Sequence, residues 1–274
     1  MVTVAHGDID AGGGVLLSER QGAVAVLTLN RPAARNSLSL ELIGALHGAI
    51  DREGASREVA AIVLRGAPPA FCAGHDLREM TARRADTDRG RAFFEQTMQA
   101  CAAAMQAIVA CPKPVIAAVN GIATAAGCQI VATCDLAVAG ESARFATPGV
   151  NIGLFCSTPM VALTRNLPRK AAMEMLLLGE MVPAAKALEL GLVNRVAPDA
   201  EVFDTAMEFA RAIASKSPLA LAIGKKAFYR QADMPLAEAY DYAANVMVEN
   251  MMIRDAGEGI GAFLEKRKPE WTGS

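Results

Sequence analysis

Apolar positions along the chain switch between two periods, and the switches mark its elements. Residues 14–20 (GVLLSER) and 23–30 (AVAVLTLN) are short aliphatic runs joined by Gln21-Gly22, which predicts two paired strands. After the loop 31–37 (RPAARNS), residues 37–56 carry apolar side chains at helical spacing, with serine available as an N-cap. A strand follows at 59–66 (VAAIVLRG), bounded by Pro68-Pro69, and then a short strand at 71–77 (FCAGHDL). A charged stretch, 78–91, leads into an amphipathic helix over 93–110 that the CPKP sequence stops. The grammar then repeats: strand 115–121 (VIAAVNG), helix 124–134 (TAAGCQIVATC), strand 135–141 (DLAVAGE), and an irregular return at 144–154. Strands alternating with helices in this way predict an α/β layered domain with crossover helices.

From Pro159 onward the pattern is helical: 159–179, then 182–191, a short strand in 192–198, and two long helical segments to the end. This places an α/β core at 15–200 and a helical C-terminal region at 201–274. The Gly-rich start, 1–14, reads as a mobile arm.

Composition narrows the function classes. Hydrophobic residues make up 53% of the 274, enough for a sizeable core, and the net charge of −2 leaves no basic footprint for nucleic acid or an anionic membrane. No apolar run is long enough for a membrane span, and the first residues lack the pattern of a secretory signal. The six cysteines form no CxxC pair or disulfide framework, which reads as reduced thiols and a cytoplasmic location. Three histidines without ligand-like spacing give no metal site, so small-molecule chemistry is the starting point.

Two segments could carry that chemistry. FCAGHDL and TAAGCQI each run from a strand through small residues to a turn or helix start, where backbone can approach a ligand and N–H groups point outward. Two such groups aimed at one point form an oxyanion hole; ordinary tight packing is the other reading of either segment alone.

In order and spacing, LTLNRP, FCAGHDLREM, PVIAAVNGIATAAGCQI, CDLAVAGESARFATP, LLLG, ALELGLVNRV and AFLEKRKP resemble the crotonase (enoyl-CoA hydratase/isomerase) superfamily over roughly residues 15–270. The resemblance implies an α/β fold, a crotonase-type ββα spiral core with a C-terminal helical trimerisation region, assembling as a homotrimer or a dimer of trimers. It implies an acyl-CoA thioester as substrate or ligand and no permanently bound cofactor or metal. Matched to the family's pattern, the oxyanion donors are the N–H groups of His75 and Ala126, the latter beside a helix N-terminus whose dipole favours negative charge. Ala33, Arg35, Ala73, His75, Asp76, Leu77, Arg78, Ala126 and Gly127 fall on substrate and CoA contacts, Asp76 at a position that is mostly structural. Phe263 and Lys266 match C-terminal contacts that a neighbouring subunit can supply, and Arg35, Arg78 and Lys266 bring charge for CoA phosphates.

The chain departs from the hydratase pattern at two positions. Gln129 and Gly149 stand where hydratases have the two glutamates that hold and activate water. An amide transfers no proton at useful pH, and each acid–base group is worth about 10²–10⁴ in rate, so weak or altered hydratase activity is expected. Restoring both glutamates is expected to raise hydration by orders of magnitude. Glu141 falls in a solvent-facing turn, and the 78–91 stretch is an alternative source of a carboxylate. His75 either faces the substrate or bonds local backbone. Cys156 and Ser157 lie near a nucleophile position of the aryl-CoA dehalogenase branch, with inert packing as the other reading of the thiol. Three functions remain open: a hydratase/isomerase-type lyase of fatty-acid or related CoA metabolism; a decarboxylase on a malonyl-like thioester, which contacts from His75 or Asn151 to a substrate carboxylate would favour; and a non-catalytic CoA-thioester binder.

Overall fold

A computed structural model describes residues 13–274; the arm expected over 1–14 lies outside them except for Gly13 and Gly14. The first strands, β1 (Leu16–Gln21) and β2 (Val24–Leu29), pair antiparallel around Gly22, whose φ of +61° suits a turn glycine. Helix α1 (Leu40–Ala55) starts where the sequence places its cap: the Ser39 hydroxyl accepts the Leu42 N–H at 3.2 Å. Next come β3 (Ala61–Gly66), α2 (Leu77–Ala82), α3 (Arg91–Ala110), β4 (Val115–Val119), β5 (Ile122–Thr124) and α4 (Ala126–Thr133). They are followed by β6 (Leu136–Gly140), β7 (Arg144–Ala146), α5 (Ser157–Asn166), α6 (Arg169–Leu178), β8 (Val182–Pro183), α7 (Ala184–Leu190) and β9 (Arg195–Ala197).

Six strands form one sheet in the order β1-β2-β3-β4-β6-β9, parallel except for the first pair; β5, β7 and β8 form a second, small sheet. Strands β2, β3 and β4 are buried on both faces, which is why they read as continuous apolar runs rather than alternating ones. One face packs on α1, α3 and α4 through Leu42, Leu46, Ile50, Cys101, Ile108 and Ile130. The other face is covered by α8 (Val202–Ala214), whose Val202, Ala206, Met207 and Ala210 meet Val24, Val26, Val63 and Ile116.

Two sequence expectations are corrected. The segment 71–77 forms no strand: its pairings stop at the isolated bridges Leu38 to His75 and Cys72 to Ala123, with Gly74 at φ +93° between them, and Leu77 already opens α2. The two long C-terminal segments are four helices: α8, α9 (Pro218–Gln231), α10 (Leu236–Met252) and α11 (Arg254–Leu264). The expected change of character near residue 200 falls just before α8, a sheet-covering helix, so the helices that pack mainly on one another begin at α9.

Two polar devices fix those helices. Lys225 of α9 reaches into the core and donates to Asp135 Oδ2 at 2.6 Å and to the carbonyls of Ile108 and Lys113 at 3.0 and 3.1 Å. The Tyr229 hydroxyl donates to the other Asp135 oxygen at 2.9 Å, and the Val115 N–H also donates to Asp135 at 2.7 Å. At the far end, buried Asp255 accepts from the Ser217 hydroxyl and from the amides of Thr272 and Gly273, which ties the last residues of the chain to the start of α9.

Candidate active site

The two small-residue segments meet. In 72–76 the backbone donors alternate sides: Cys72 N–H bonds Ile122 O at 3.1 Å, while Ala73 and Asp76 N–H turn to Arg35 O and Leu38 O at 3.0 and 2.9 Å. His75 N–H, next to Asp76 along an extended segment, therefore faces the side of β5 and α4. Gly74 packs directly there: a Cβ added to it would lie 2.8 Å from Ala125 Cβ and 3.4 Å from Ala126 N. Gly127 is pressed harder still, since its added Cβ would overlap Cys72 O at 2.1 Å. Glycine is required at both places to bring α4 against 72–75.

Ala125, before the first residue of α4, holds φ +51° and ψ −118°, a costly conformation for a residue with a Cβ. Its own N–H is used by Ala146 O, and its carbonyl accepts from Gln129. The amides of Ala126 and His75 donate to no acceptor among the described residues. Two unpaired donors on touching segments, one at a helix N-terminus, can hold an oxygen that gains negative charge.

Two side chains close this region. Gln129 is 4% exposed, and neither its Oε1 nor the buried His75 Nε2 has a hydrogen-bond partner among the described residues. Burial pushes the His75 imidazole down to about 4, so it is neutral near pH 7. Between an unfolded value near 6.5 and the folded value, the unfolded chain binds the extra proton, so His75 is expected to lower stability progressively as pH falls from about 6.5 to about 4. Denaturation across that window should show the slope, and His75→Phe should flatten it; a slope unchanged by the substitution would refute the assignment.

Gly149 is where its side chain would be needed least. A Cβ there would meet Cys156 Sγ and Leu154 O, both at 2.9 Å, so a side chain at 149 fits only if the Cys156 thiol and the Leu154 carbonyl give way. That requirement bears on the expected gain from restoring both glutamates together. Cys156 is buried, its thiol raised by burial, and Ser157 is exposed with its hydroxyl on Phe155 O. Asn151 is exposed and bonds Gly179 O at 3.4 Å, and Glu141 is exposed as expected. Of the carboxylates in the charged stretch, Glu79 accepts the Leu40 N–H at 3.1 Å at the start of α1, and Asp88 caps α3 through the Gly90 and Ala92 amides beside a cavity of about 480 Å³ lined by Arg84, Arg89, Arg91, Phe94 and Glu95.

Among the residues matched to CoA contacts, Arg35 and Ala73 are joined by the Ala73 N–H to Arg35 O bond, and Ala33 lies on the adjoining turn. Leu77 and Arg78 are exposed at the start of α2. Asp76 caps α2 through the Arg78 and Glu79 amides and pairs with Arg31 at 2.8 Å. Burial opposes its ionisation, but the Arg31 hydrogen bond and the two amides outweigh it and hold the carboxyl below the usual range. Phe263 and Lys266 sit apart, exposed at the end of α11 among helices that pack on one another. Sequence reasoning missed the Arg31–Asp76 pair and the fully buried Asn36, whose amide donates to Ala67 O and Ala70 O and so shapes the 67–72 approach. Nothing in their spacing signals either contact.

No helix among the described residues is long and apolar enough to cross a membrane. The family profile described as enoyl-CoA hydratase/isomerase matches residues 19–274. The chain is 46% identical to human enoyl-CoA hydratase domain-containing protein 3, mitochondrial, over 246 residues, 90% of this chain and 80% of that protein. The crystal structure of that human protein superposes with a TM-score of 0.89 at 44% identity, covering 94% of this chain and 100% of that one. An enoyl-CoA hydratase from Mycobacterium smegmatis superposes with a TM-score of 0.89 at 50% identity over 94% and 98% of the two chains.

These relatives show that the fold is the crotonase-type α/β fold. They also correct the cytoplasmic expectation, because the curated relatives from human, rat and mouse are named as mitochondrial. Free cysteines fit a compartment that keeps thiols reduced; they do not choose among such compartments. With the motifs, the fold and the profile in agreement over nearly its whole length, the chain belongs to the enoyl-CoA hydratase/isomerase family.

Proposed function

We propose that the chain binds an acyl-CoA thioester, with the thioester oxygen between the amides of His75 and Ala126, and acts on it as a lyase of CoA metabolism with weak hydratase activity. The observation that carries this reading is the packing of Gly74 on Ala125 and Ala126 with both neighbouring amides unpaired. Hydrogen bonds from the two amides draw electron density onto the carbonyl oxygen and make the adjacent carbon more acidic. The enolate that forms has its charge facing the α4 N-terminus, where the helix dipole is favourable. Arg35 and Arg78, exposed nearby, supply cations for the CoA phosphates. Neither Gln129 nor Gly149 can exchange a proton with a water molecule, which is why hydration is slow.

The chain assembles as a trimer, on this reading, through α9–α11, whose outward face carries Phe228, Tyr240, Met252 and Phe263 at 65%, 71%, 78% and 81% exposure. Phe263 and Lys266 then serve the CoA of an adjoining subunit rather than their own.

Incubation of the pure protein with acyl-, enoyl- and malonyl-type CoA esters, read by mass spectrometry, tests the proposal. A gain of water on an enoyl ester at a low rate supports it. Loss of carbon dioxide from a malonyl-type ester would replace it with the decarboxylase, and binding of every ester without a mass change would make the protein a CoA-thioester carrier.

A further inference from the structure

One loop holds the segment that carries the His75 amide. Every backbone hydrogen bond that residues 73–75 make among the described residues goes to 35–38: Ala73 N–H donates to Arg35 O at 3.0 Å, and Gly74 O accepts from Leu38 N–H at 2.7 Å. Leu38 O then takes the Asp76 N–H at 2.9 Å, and the Asp76 carboxylate pairs with Arg31 at the start of the same loop. The loop is sharply bent. Arg35 and Asn36 are consecutive left-handed residues, at φ +51° and +54°, and neither is glycine. Asn36 fastens that bend. It is 0% exposed, its Oδ1 accepts the Arg31 N–H at 2.9 Å, and its Nδ2 donates to Ala67 O and Ala70 O at 2.7 and 2.6 Å. Both amide hydrogens and the oxygen are used, and an aspartate of the same size lacks the donors.

We infer that Asn36 is a positioning residue: by fixing the 31–38 loop against 67–70, it sets where the His75 N–H points. The inference rests on the acyl-CoA reading above. At 0% exposure Asn36 is sealed from any ligand, so it acts through the bonds from 35–38 to Ala73 and Gly74, and Arg31 repeats the hold at Asp76. His75 lies between these fixed points and makes no backbone hydrogen bond of its own among the described residues. A donor loses strength steeply as it turns away from its acceptor. A loop that relaxes therefore weakens one of the two hydrogen bonds on the thioester oxygen.

The infrared stretch of the thioester carbonyl, isolated with butyryl-CoA labelled with carbon-13 at that position, reads these hydrogen bonds, because accepting them lowers its frequency. Each full-length protein is measured saturated with the ester, so a change in affinity does not enter. Asn36→Gly keeps the left-handed bend, which glycine adopts freely, and deletes only the side-chain bonds. It should lose about half of the parent chain's downward shift, the share of one of two donors. Arg31→Met, a milder change at a partly exposed pair, should lose a smaller part, and it carries the test if Asn36→Gly does not fold. Tyr229→Phe, which removes a bond to Asp135 in the α9 clamp, should lower stability and leave the shift intact. The full parental shift in the folded Asn36→Gly and Arg31→Met proteins would overturn the inference, as would an equal loss in Tyr229→Phe. No binding to the parent chain, or no shift on the bound ester, would instead remove the acyl-CoA reading itself, before any variant is compared.

Discussion

Replacing Gln129 with glutamate is expected to speed hydration of crotonyl-CoA by about a hundredfold, the lower end of what one positioned acid–base group contributes. The new carboxylate would occupy almost the same volume as the amide, so the site at 4% exposure need not rearrange. Burial raises the pKa of a carboxyl group, and the neighbouring α4 N-terminus counteracts that rise. The gain should therefore grow with pH as the glutamate ionises, a profile that an accidental improvement in folding would not produce. The loss of the enoyl thioester absorbance over time measures it. A folded variant that binds the ester and shows no gain would mean that no water is held on that side of the double bond. Adding Gly149→Glu should not improve on the single change, because the Leu154 carbonyl and the Cys156 sulfur stand at 2.9 Å from the first atom of any side chain there.

Removing the carboxylate of Asp135 is expected to cost about 3–5 kcal/mol, because it leaves a buried charge without its partner. Lys225 is only 7% exposed in its side chain and would keep its charge against two carbonyls after losing its ion-pair partner. The Tyr229 hydroxyl and the Val115 amide would lose their acceptor in the same step. Denaturant midpoints for Asp135→Ala should show the loss. The double variant Asp135→Ala with Lys225→Met should recover part of it, since no buried charge then remains. A cost below about 1 kcal/mol for Asp135→Ala would show that water reaches Lys225 and that α9 is not clamped.

The sequence revealed the elements whose cause is local. Ser39 caps α1 through its own hydroxyl, and the doubly buried β3 and β4 are legible as unbroken apolar runs. It misread residues 71–77 because strand identity depends on a continuous partner alongside, and here ladder pairing stops at two isolated bridges. It merged the last helices because Ser217 and Pro235, which begin two of them, interrupt a pattern that stays helical on both sides. At the site, the absence of glutamates at 129 and 149 was plain from residue identity. That a side chain at 149 is also crowded was not, because the obstructing atoms come from residues 154 and 156, placed by a turn whose shape no local signal gives. The cytoplasmic reading failed for a different reason: cysteine chemistry records a redox environment, which more than one compartment shares.

All six cysteines are buried, and in Cys72, Cys101 and Cys128 burial lifts the thiol to about 11 or 12. Because only the thiolate attacks an alkylating reagent, the native chain should stay silent to maleimide while the opened chain reacts. The protein thus carries its own stopwatch for opening. The order in which the six sulfurs take up label, read by peptide mass, would rank α3, α4 and the α5 start by how readily each comes loose, without a probe ever being attached to the working molecule.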